Sequence, residues 1–495
     1  MQYPTSENAM LMQSEERRLY TTNSMVSMGR RYSYFSESKV VLKNSIPVIA
    51  SMILQYALGL MLIYFVKGLG EKKLAAVSLC NTLYYITGPA LFNGFSTSLD
   101  TLCNQAFGAK KFHEVGYYCQ QCIVLMALLL VPLTLFHFNC VKILLEPFFI
   151  KDEEIVNSCQ YYLRVIIFGT PALIIFEVER RFLLCQGIFH PPTFILLLLV
   201  PINMIWCSYS IPKFAFSIVP WIPVVNYWFM AISLSIYILW TKNPIYPRKC
   251  FIPIRNITRL TKNMGHMFHL SLNGVCMTIS EAMAFQILTF MTCKLSINEL
   301  AAQSIVITVA DGIFQIPFGV SICCCTKLAN VIGSGDLIYS KFLVRTYLFM
   351  SFILGSICLI ATFFTKDLIA HILSPSGPLK STIEDITSKT LIIVSVNQFG
   401  DCINIICSGI LRAQGRQRVG SILNFVCFYV LALPIEFILG FRSKYGIYGL
   451  WSGLGLGIII LFSSEIISIL RSNWNNVLER CSKINAKSQF DCPLI

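Results

Sequence analysis

The sequence contains few charged residues, with Asp, Glu, Lys and Arg together making up 13% of its 495 residues. Soluble domains carry about 25% charged residues, so a water-soluble globule of this size is excluded. The hydrophobic share of 55% also excludes an intrinsically disordered chain, which needs few apolar residues. The composition therefore predicts a polytopic membrane protein, and its length leaves room for many spans of about 20 apolar residues each.

Motifs for energy coupling and catalysis are missing as well. The sequence has no GxxxxGK[ST] loop for ATP, and no HExxH or GxSxG motif for hydrolysis. It has no Arg-rich span and no selectivity-filter motif, which argues against a channel. An intramembrane enzyme such as an acyltransferase would need an embedded His, and we place His137 and His371 near span ends. We therefore expect a non-enzymatic protein that uses an ion gradient or works passively.

Metal and nucleic-acid binding are not expected either. Most of the 20 Cys residues lie in apolar runs, where Cys behaves as a small hydrophobic residue. Cys119 and Cys122 form a CxxC pair, but no second pair or His set follows at zinc spacing. The net charge of +14 comes from basic residues between apolar runs, which is typical of cytosolic loops rather than of a nucleic-acid surface. We expect no cofactor beyond a coupling ion.

Apolar segments dominate the rest of the chain and predict an all-α fold, because lipid offers backbone amides no hydrogen-bond partner. We place twelve spans near 41–66, 74–99, 119–141, 159–177, 184–208, 217–240, 270–292, 300–324, 343–364, 387–409, 420–440 and 446–470. Basic residues favour one side by about two to one, which predicts that both termini are cytosolic. We predict a disordered cytosolic tail at 1–40, without a signal peptide, followed by a six-helix lobe at 41–240. A cytosolic linker at 241–268, a second six-helix lobe at 269–470 and a cytosolic tail at 471–495 complete the predicted organisation.

The two lobes carry an internal repeat. Three sets of residues recur in the same order at an offset of about 226 residues: 74–78 with 300–304, Thr101 and Gly108 with Thr326 and Gly333, and 185–187 with 413–415. Six predicted spans separate the copies, so both copies have the same orientation and form a parallel repeat. Two such bundles flanking a central cavity are typical of a transporter. We expect a monomer in the plasma or vacuolar membrane.

Three acidic residues, Glu281, Asp311 and Asp401, lie in the interior of predicted spans, away from the span ends. A charge in hydrocarbon costs at least about 2.5–3.5 kcal/mol, so each requires a reason. Burial favours the neutral form of a carboxyl group, which makes Glu281 a candidate reversible proton site. A permanently neutral acid bonded to Ser or Asn is the alternative. Asp401 and Asp311 are candidates for the same cavity, or else pair with Asn or with backbone groups.

Other charged residues are expected to be structural. Glu177, Glu179, Arg180 and Arg181 lie close together and are expected to pair among themselves or to anchor at the membrane interface. Glu436 and Glu465 lie near span ends and are expected to be interfacial. Pro89 and Pro317 lie inside predicted spans, where proline bends helices.

Aromatic residues in spans suit an organic cation through cation–π contact, although packing is the commoner role of any single ring. Together with polar neighbours they define a candidate substrate cavity. Its members are Gln55, Tyr56, Asn81, Tyr85, Phe285, Gln286 and Asn404.

Several motifs resemble those of multidrug and toxic compound extrusion (MATE) transporters. They lie at residues 74–78, 98–110, 300–304, 316–320 and 408–417, and residues 185–190 resemble the fungal branch of the family. The resemblance implies two six-helix lobes and antiport of organic cations against H+ or Na+.

The resemblance also implies site residues. The first acidic position of the family's seventh helix is kept as Glu281, and the acidic position of its tenth helix falls on Asp401. The second acidic position of the seventh helix is Gln286 here, and the polar first-helix position is Gln55. Proton coupling through the C-terminal lobe is therefore expected. A lipid-linked oligosaccharide flippase and a transport-inactive homologue remain the alternatives.

Overall fold

A computed structural model describes residues 33–148, 153–241, 250, 264–374 and 379–489. Within these ranges the chain is helical and contains no strand. Residues 1–32 of the predicted N-terminal tail and most of the predicted linker lie outside the described residues. Residues 34–40 were predicted to be part of the disordered tail, which is wrong, because they belong to the first helix. We number the main helices α1 to α13. They are α1 Tyr34–Val66, α2 (the consecutive segments Glu71–Tyr85, Ile86–Ala90 and Leu91–Gly108), α3 Phe112–Phe148, α4 Glu153–Cys185, α5 Pro191–Phe214, α6 Trp221–Trp240, α7 Met264–Thr292, α8 Ile297–Gly333, α9 Leu337–Leu373, α10 Lys380–Ala413, α11 Gln417–Arg442, α12 Gly446–Leu470 and α13 Trp474–Gln489.

Eleven helical segments among the described residues are long and apolar enough to cross a membrane. They correspond to α1 and α3 to α12, and this confirms the predicted polytopic all-α fold. The remaining predicted span, 74–99, lies in α2, which is more polar. Its second half buries Ser96, Thr97, Ser98 and Thr101 among protein neighbours. A helix that is buried by other helices needs little apolar surface for lipid, which explains its composition.

The predicted bend at Pro89 takes the form of a π-helical turn. Ile86–Ala90 is π-helical and joins the two α-helical halves of α2. Proline has no amide hydrogen and disturbs the regular hydrogen-bond ladder, so a wider turn is a common local solution. Pro317, in contrast, lies within the continuous helix α8.

The internal repeat has a structural basis at the ends of α4 and α10. Gly187 follows α4 with φ +78° and Gly415 follows α10 with φ +67°. These left-handed conformations favour glycine and end a helix without steric cost. The repeated residues 185–187 and 413–415 are therefore equivalent C-terminal helix caps.

Both bundles have hydrophobic cores. Phe92, Phe95, Met126 and Phe176 are buried in the first bundle, α1 to α6, in a cluster that continues onto α7 of the second bundle. Leu288, Phe428, Trp451 and Ile458 are buried in the second, α7 to α12. Large apolar side chains remain exposed on the outer helices, for example Phe194 and Ile205 on α5, and Phe349 and Phe364 on α9. Such surfaces fit contact with lipid.

The two bundles meet tightly at one end, which we call the closed end. Here α1 begins and α2, α4, α8, α10 and α12 end. Helix α2 packs on α7 and α8, and α1 packs on α8. A Cβ atom on Gly274 of α7 would lie 2.6 Å from the carbonyl oxygen of Gly94 in α2. Glycine therefore allows the backbones of the two bundles to approach directly.

The C-terminal segment adds a helix to the closed end. The predicted tail 471–495 contains α13, and Trp474, Val477, Leu478 and Cys481 are buried in an apolar cluster with α8 residues. The spacing of three or four residues between these side chains places them on one helix face. This part of the chain is therefore packed against the second bundle.

Candidate functional site

Side chains from both bundles converge on a cleft away from the closed end. Tyr85 of α2 is 48% exposed although it lies in the middle of a long helix, and Asp311 of α8 is exposed as well. Tyr85 lies within electrostatic range of both Asp311 and Glu281. Tyr56 of α1 lies within range of Asp311. Two tyrosines of the first bundle therefore face two acidic residues of the second across an accessible space.

Tyr56 also joins the bundles beside this cleft. Its hydroxyl donates a hydrogen bond to the carbonyl oxygen of Thr308 in α8, with an oxygen-to-oxygen distance of 3.0 Å. A Cβ atom on Gly312 would lie 3.7 Å from the Tyr56 ring, an ordinary contact distance. The ring therefore packs closely on α8 next to Asp311.

Glu281 connects the cleft with the interior of the second bundle. The side chain is partly exposed, and its Oε1 accepts a hydrogen bond from Asn404 Nδ2 at 3.3 Å. Asn404 is buried in α10, and its Oδ1 has no hydrogen-bond partner among the described residues. Glu281 therefore faces protein and the cleft.

Asp401 lies one helical turn before Asn404 and is 3% exposed. It is within electrostatic range of Glu281, and its Oδ1 has no hydrogen-bond partner in the described part of the chain. Unpaired buried polar groups are costly. Two neighbouring carboxyl groups with open hydrogen-bond positions can bind a proton or a cation.

The remaining predicted cavity residues differ in position. Gln55 and Gln286 are partly exposed. Asn81 accepts a hydrogen bond from the Tyr162 hydroxyl at 2.7 Å, which ties it to α4 within its own bundle. Phe285 packs on Trp451 with ring centroids 6.2 Å apart. Asn81 and Phe285 therefore support the walls of the bundles, and Tyr56, Tyr85, Glu281 and Asp311 are the residues that the structure brings together.

Ion pairs fasten the first bundle at the closed end. Glu177 Oε2 accepts hydrogen bonds from Arg180 and Arg181, both at 2.7 Å, so the predicted pairing within this group is confirmed. Arg181 Nε also donates to Asp100 Oδ1 at 3.0 Å. Glu179 instead accepts a hydrogen bond from Ser235 of α6.

The predicted interfacial positions of Glu436 and Glu465 are wrong. Glu436 is 2% exposed and Glu465 is 0% exposed. Both lie between packed helices, because α12 contacts α10 and α11 along its length. Glu465 follows the register of the buried residues Ile458 and Leu461. This helical spacing in the sequence indicates that Glu465 is buried. The prediction relied instead on its closeness to the end of the apolar run, which wrongly suggested an interfacial position.

His137 lies near the end of the apolar span Phe112–Asn139, as predicted, and it is fully buried within the first bundle. Its Nε2 lies 3.0 Å from Thr87 Oγ1 in the π-helical turn of α2. Helix α3 itself extends beyond the predicted segment 119–141 at both ends.

Two six-helix bundles around an accessible cleft define a polytopic membrane transporter. The sequence model of the MatE family matches residues 47–208 and 275–438. The chain belongs to the MatE family of transporters.

Known proteins agree with this assignment. The chain is 30% identical to an uncharacterized transporter of Schizosaccharomyces pombe, over 93% of this chain and 83% of that relative. It is 26% identical to multidrug and toxin extrusion protein 2 of Mus musculus, over 88% of this chain and 74% of the relative. The fold matches the crystal structure of the eukaryotic MATE transporter AtDTX14 with a TM-score of 0.80 and 22% identity, over 91% of this chain and 99% of that one.

Proposed function

We propose that this transporter is a secondary active antiporter that exports organic cations or xenobiotics in exchange for protons. The observation that carries the proposal is the position of Glu281, which contacts the cleft on one side and Asn404 on the other. A cationic substrate and a proton can therefore compete for the same carboxylate. The mouse relative named for multidrug and toxin extrusion supports the substrate class.

The cleft offers complementary groups for an organic cation. The carboxylates of Glu281 and Asp311 supply negative charge, and the rings of Tyr56 and Tyr85 supply faces for cation–π contact. A lipid-linked oligosaccharide flippase would need a basic cavity for its pyrophosphate, so these carboxylates favour the antiporter.

The proposed cycle follows from charge balance. Glu281 holds the cation while it is ionised, and protonation from the open side removes that charge and releases the cation there. The protonated protein then opens its closed end and releases the proton on the other side. This coupling requires different affinities for proton and cation in the two states.

We infer that the closed end faces the cytosol, which follows from the predicted bias of basic residues. The structure would then be open to the outside of the cell or to the vacuole. Conversion from this state to one that is open to the cytosol would require α2 to separate from α7 and α8.

The experiment is uptake of a fluorescent organic cation into liposomes that contain the purified protein. An outward proton gradient, acid inside, is expected to drive uptake, and a proton uncoupler is expected to abolish it. The same assay with Na+ replaced by K+ distinguishes the two coupling ions, because proton coupling predicts unchanged uptake. Absence of gradient-driven uptake over a panel of cations would reject the antiport proposal.

A further inference from the structure

A polar stripe runs through the second bundle from Glu281 to the closed end. It consists of Asp401, Asn404, Ser408 and Arg412 of α10, all buried. Their spacing of three or four residues places them on one helix face. The stripe spans about 16 Å at 1.5 Å per residue. It ends where the two bundles meet.

Arg412 reaches across the contact between the bundles. Its Nε lies 3.9 Å from Asp100 Oδ2 of α2, and its backbone carbonyl accepts a hydrogen bond from Thr101 Oγ1 at 2.6 Å. Its NH2 group donates to Ser321 Oγ at 3.4 Å. The Nε atom makes no hydrogen bond within the described residues. Arg412 is thus a buried cation that makes one long ion pair within the described part of the chain, and the partner, Asp100, belongs to the other bundle.

Glu465 of α12 is a carboxyl group of the second bundle within electrostatic range of this cation. It is fully buried, and its Oε1 accepts a hydrogen bond from Ser408 Oγ at 3.2 Å, one turn before Arg412. Its Oε2 has no hydrogen-bond partner in the described ranges. The charged and titratable groups in electrostatic range of Glu465 are Arg412 and Glu281 of its own bundle and the thiols of Cys407 and Cys427.

Opening of the closed end would remove the present partner of Arg412. Asp100 belongs to the first bundle and is also held there by Arg181 at 3.0 Å, so it would move away with that bundle. Leaving a buried charge without a partner is strongly destabilising. A carboxylate from its own bundle would keep Arg412 paired in the open state.

We propose that Glu465 is the alternative partner of Arg412, so that Arg412 exchanges Asp100 for Glu465 when the closed end opens. Glu465 is then a positioning residue that stabilises the opened state, and Asp100 stabilises the closed state. Glu281 lies within electrostatic range of both Arg412 and Glu465, so its charge also affects whether Arg412 pairs with Asp100 or with Glu465. The inference rests on the proposed function only in requiring that the closed end opens during a cycle.

The test compares the variants E465Q and D100N in the full-length protein in lipid nanodiscs. Hydrogen–deuterium exchange of the segments 97–108 and 408–417 reports opening of the closed end. E465Q is expected to slow this exchange by about tenfold and D100N to accelerate it by a similar factor, which is within the usual range of coupling between sites. The double variant R412Q/E465Q removes both charges of the new pair and is expected to restore opening relative to E465Q.

The matched control is E436Q, which removes another buried acid of the same bundle and is expected to leave exchange unchanged. Affinity of E465Q for a fluorescent organic cation is expected to stay within about threefold of wild type, because a positioning residue does not touch the substrate. Should E465Q fail to fold, E465D carries the test, because its shorter side chain predicts the same direction of change. The proposal would be overturned if the Glu465 variant exchanged hydrogen at the wild-type rate in these segments. It would also be overturned if the Glu465 and Asp100 variants changed the exchange rate in the same direction.

Failure of this inference is distinguishable from failure of the proposed antiport. The exchange measurements need no proton gradient and no transported substrate. Gradient-driven uptake by E281Q is measured in parallel, and only that result bears on proton coupling.

Discussion

Gly108 and Gly333 make reciprocal contacts between the two bundles. A Cβ atom on Gly108 would lie 1.9 Å from the carbonyl oxygen of Asn330, and one on Gly333 would lie 2.1 Å from the carbonyl oxygen of Gln105. The two glycines occupy equivalent positions in the sequence repeat, at the ends of α2 and α8. Gly108 therefore lets the end of α2 approach the backbone of α8, and Gly333 lets the end of α8 approach the backbone of α2. These equivalent contacts make the closed end symmetric.

Replacement of Gly333 by Ala is expected to loosen this contact. A methyl group cannot fit beside a backbone carbonyl at this distance, so the helices must separate, at a cost of about 1–3 kcal/mol. We expect faster hydrogen exchange in segments 97–108 and 408–417 and a lower thermal unfolding temperature. Gly59→Ala is the matched control, since nothing lies within 4 Å of its Cβ position. Equal behaviour of the two variants would show that the contact does not hold the end closed.

Tyr85 is expected to contribute to cation affinity through its ring. Tyr85→Ala should weaken binding of a fluorescent organic cation by about 0.5–1 kcal/mol, the value of an exposed cation–π contact. Tyr85→Phe keeps the ring and should bind nearly as wild type, which separates the ring from the hydroxyl. Fluorescence titration of the purified protein measures both constants. An unchanged affinity in Tyr85→Ala would remove this ring from the binding site.

Gln286→Glu is expected to change the preference among cations. The new carboxylate would lie about 7.5 Å along the α7 axis from Glu281, at 1.5 Å per residue. Because Gln286 is partly exposed, an acid there is expected to ionise and to attract a second positive charge. The affinity ratio of a dication to a monocation should therefore rise by about three- to tenfold. A neutral ligand of similar size serves as the reference. An equal change in affinity for the dication, the monocation and the neutral ligand would contradict this expectation.

Sequence patterns predicted the fold and part of the site, because burial in lipid leaves strong marks. The apolar runs located the spans, and the repeated glycines marked equivalent helix ends. Glu281 and Asp401 could be selected because an acidic residue in the middle of an apolar run is expensive.

The remaining residues depended on contacts between helices that are distant in sequence. Glu465 and Arg412 lie near the ends of their helices, where a charge usually contacts water or lipid headgroups. Their burial results from packing of α10 and α12 against each other and from closure against α2. Only the assembled structure shows that Asp100 and Arg412 are neighbours.

The central claim is that Glu281 couples proton movement to cation transport. The most direct measurement is uptake of a fluorescent organic cation into liposomes under an imposed pH gradient, with wild type, Glu281→Gln and the control Glu436→Gln at equal protein incorporation. The account predicts that Glu281→Gln loses gradient-driven uptake and its dependence on pH, while Glu436→Gln transports as wild type. Gradient-driven uptake by Glu281→Gln at the wild-type rate would contradict it.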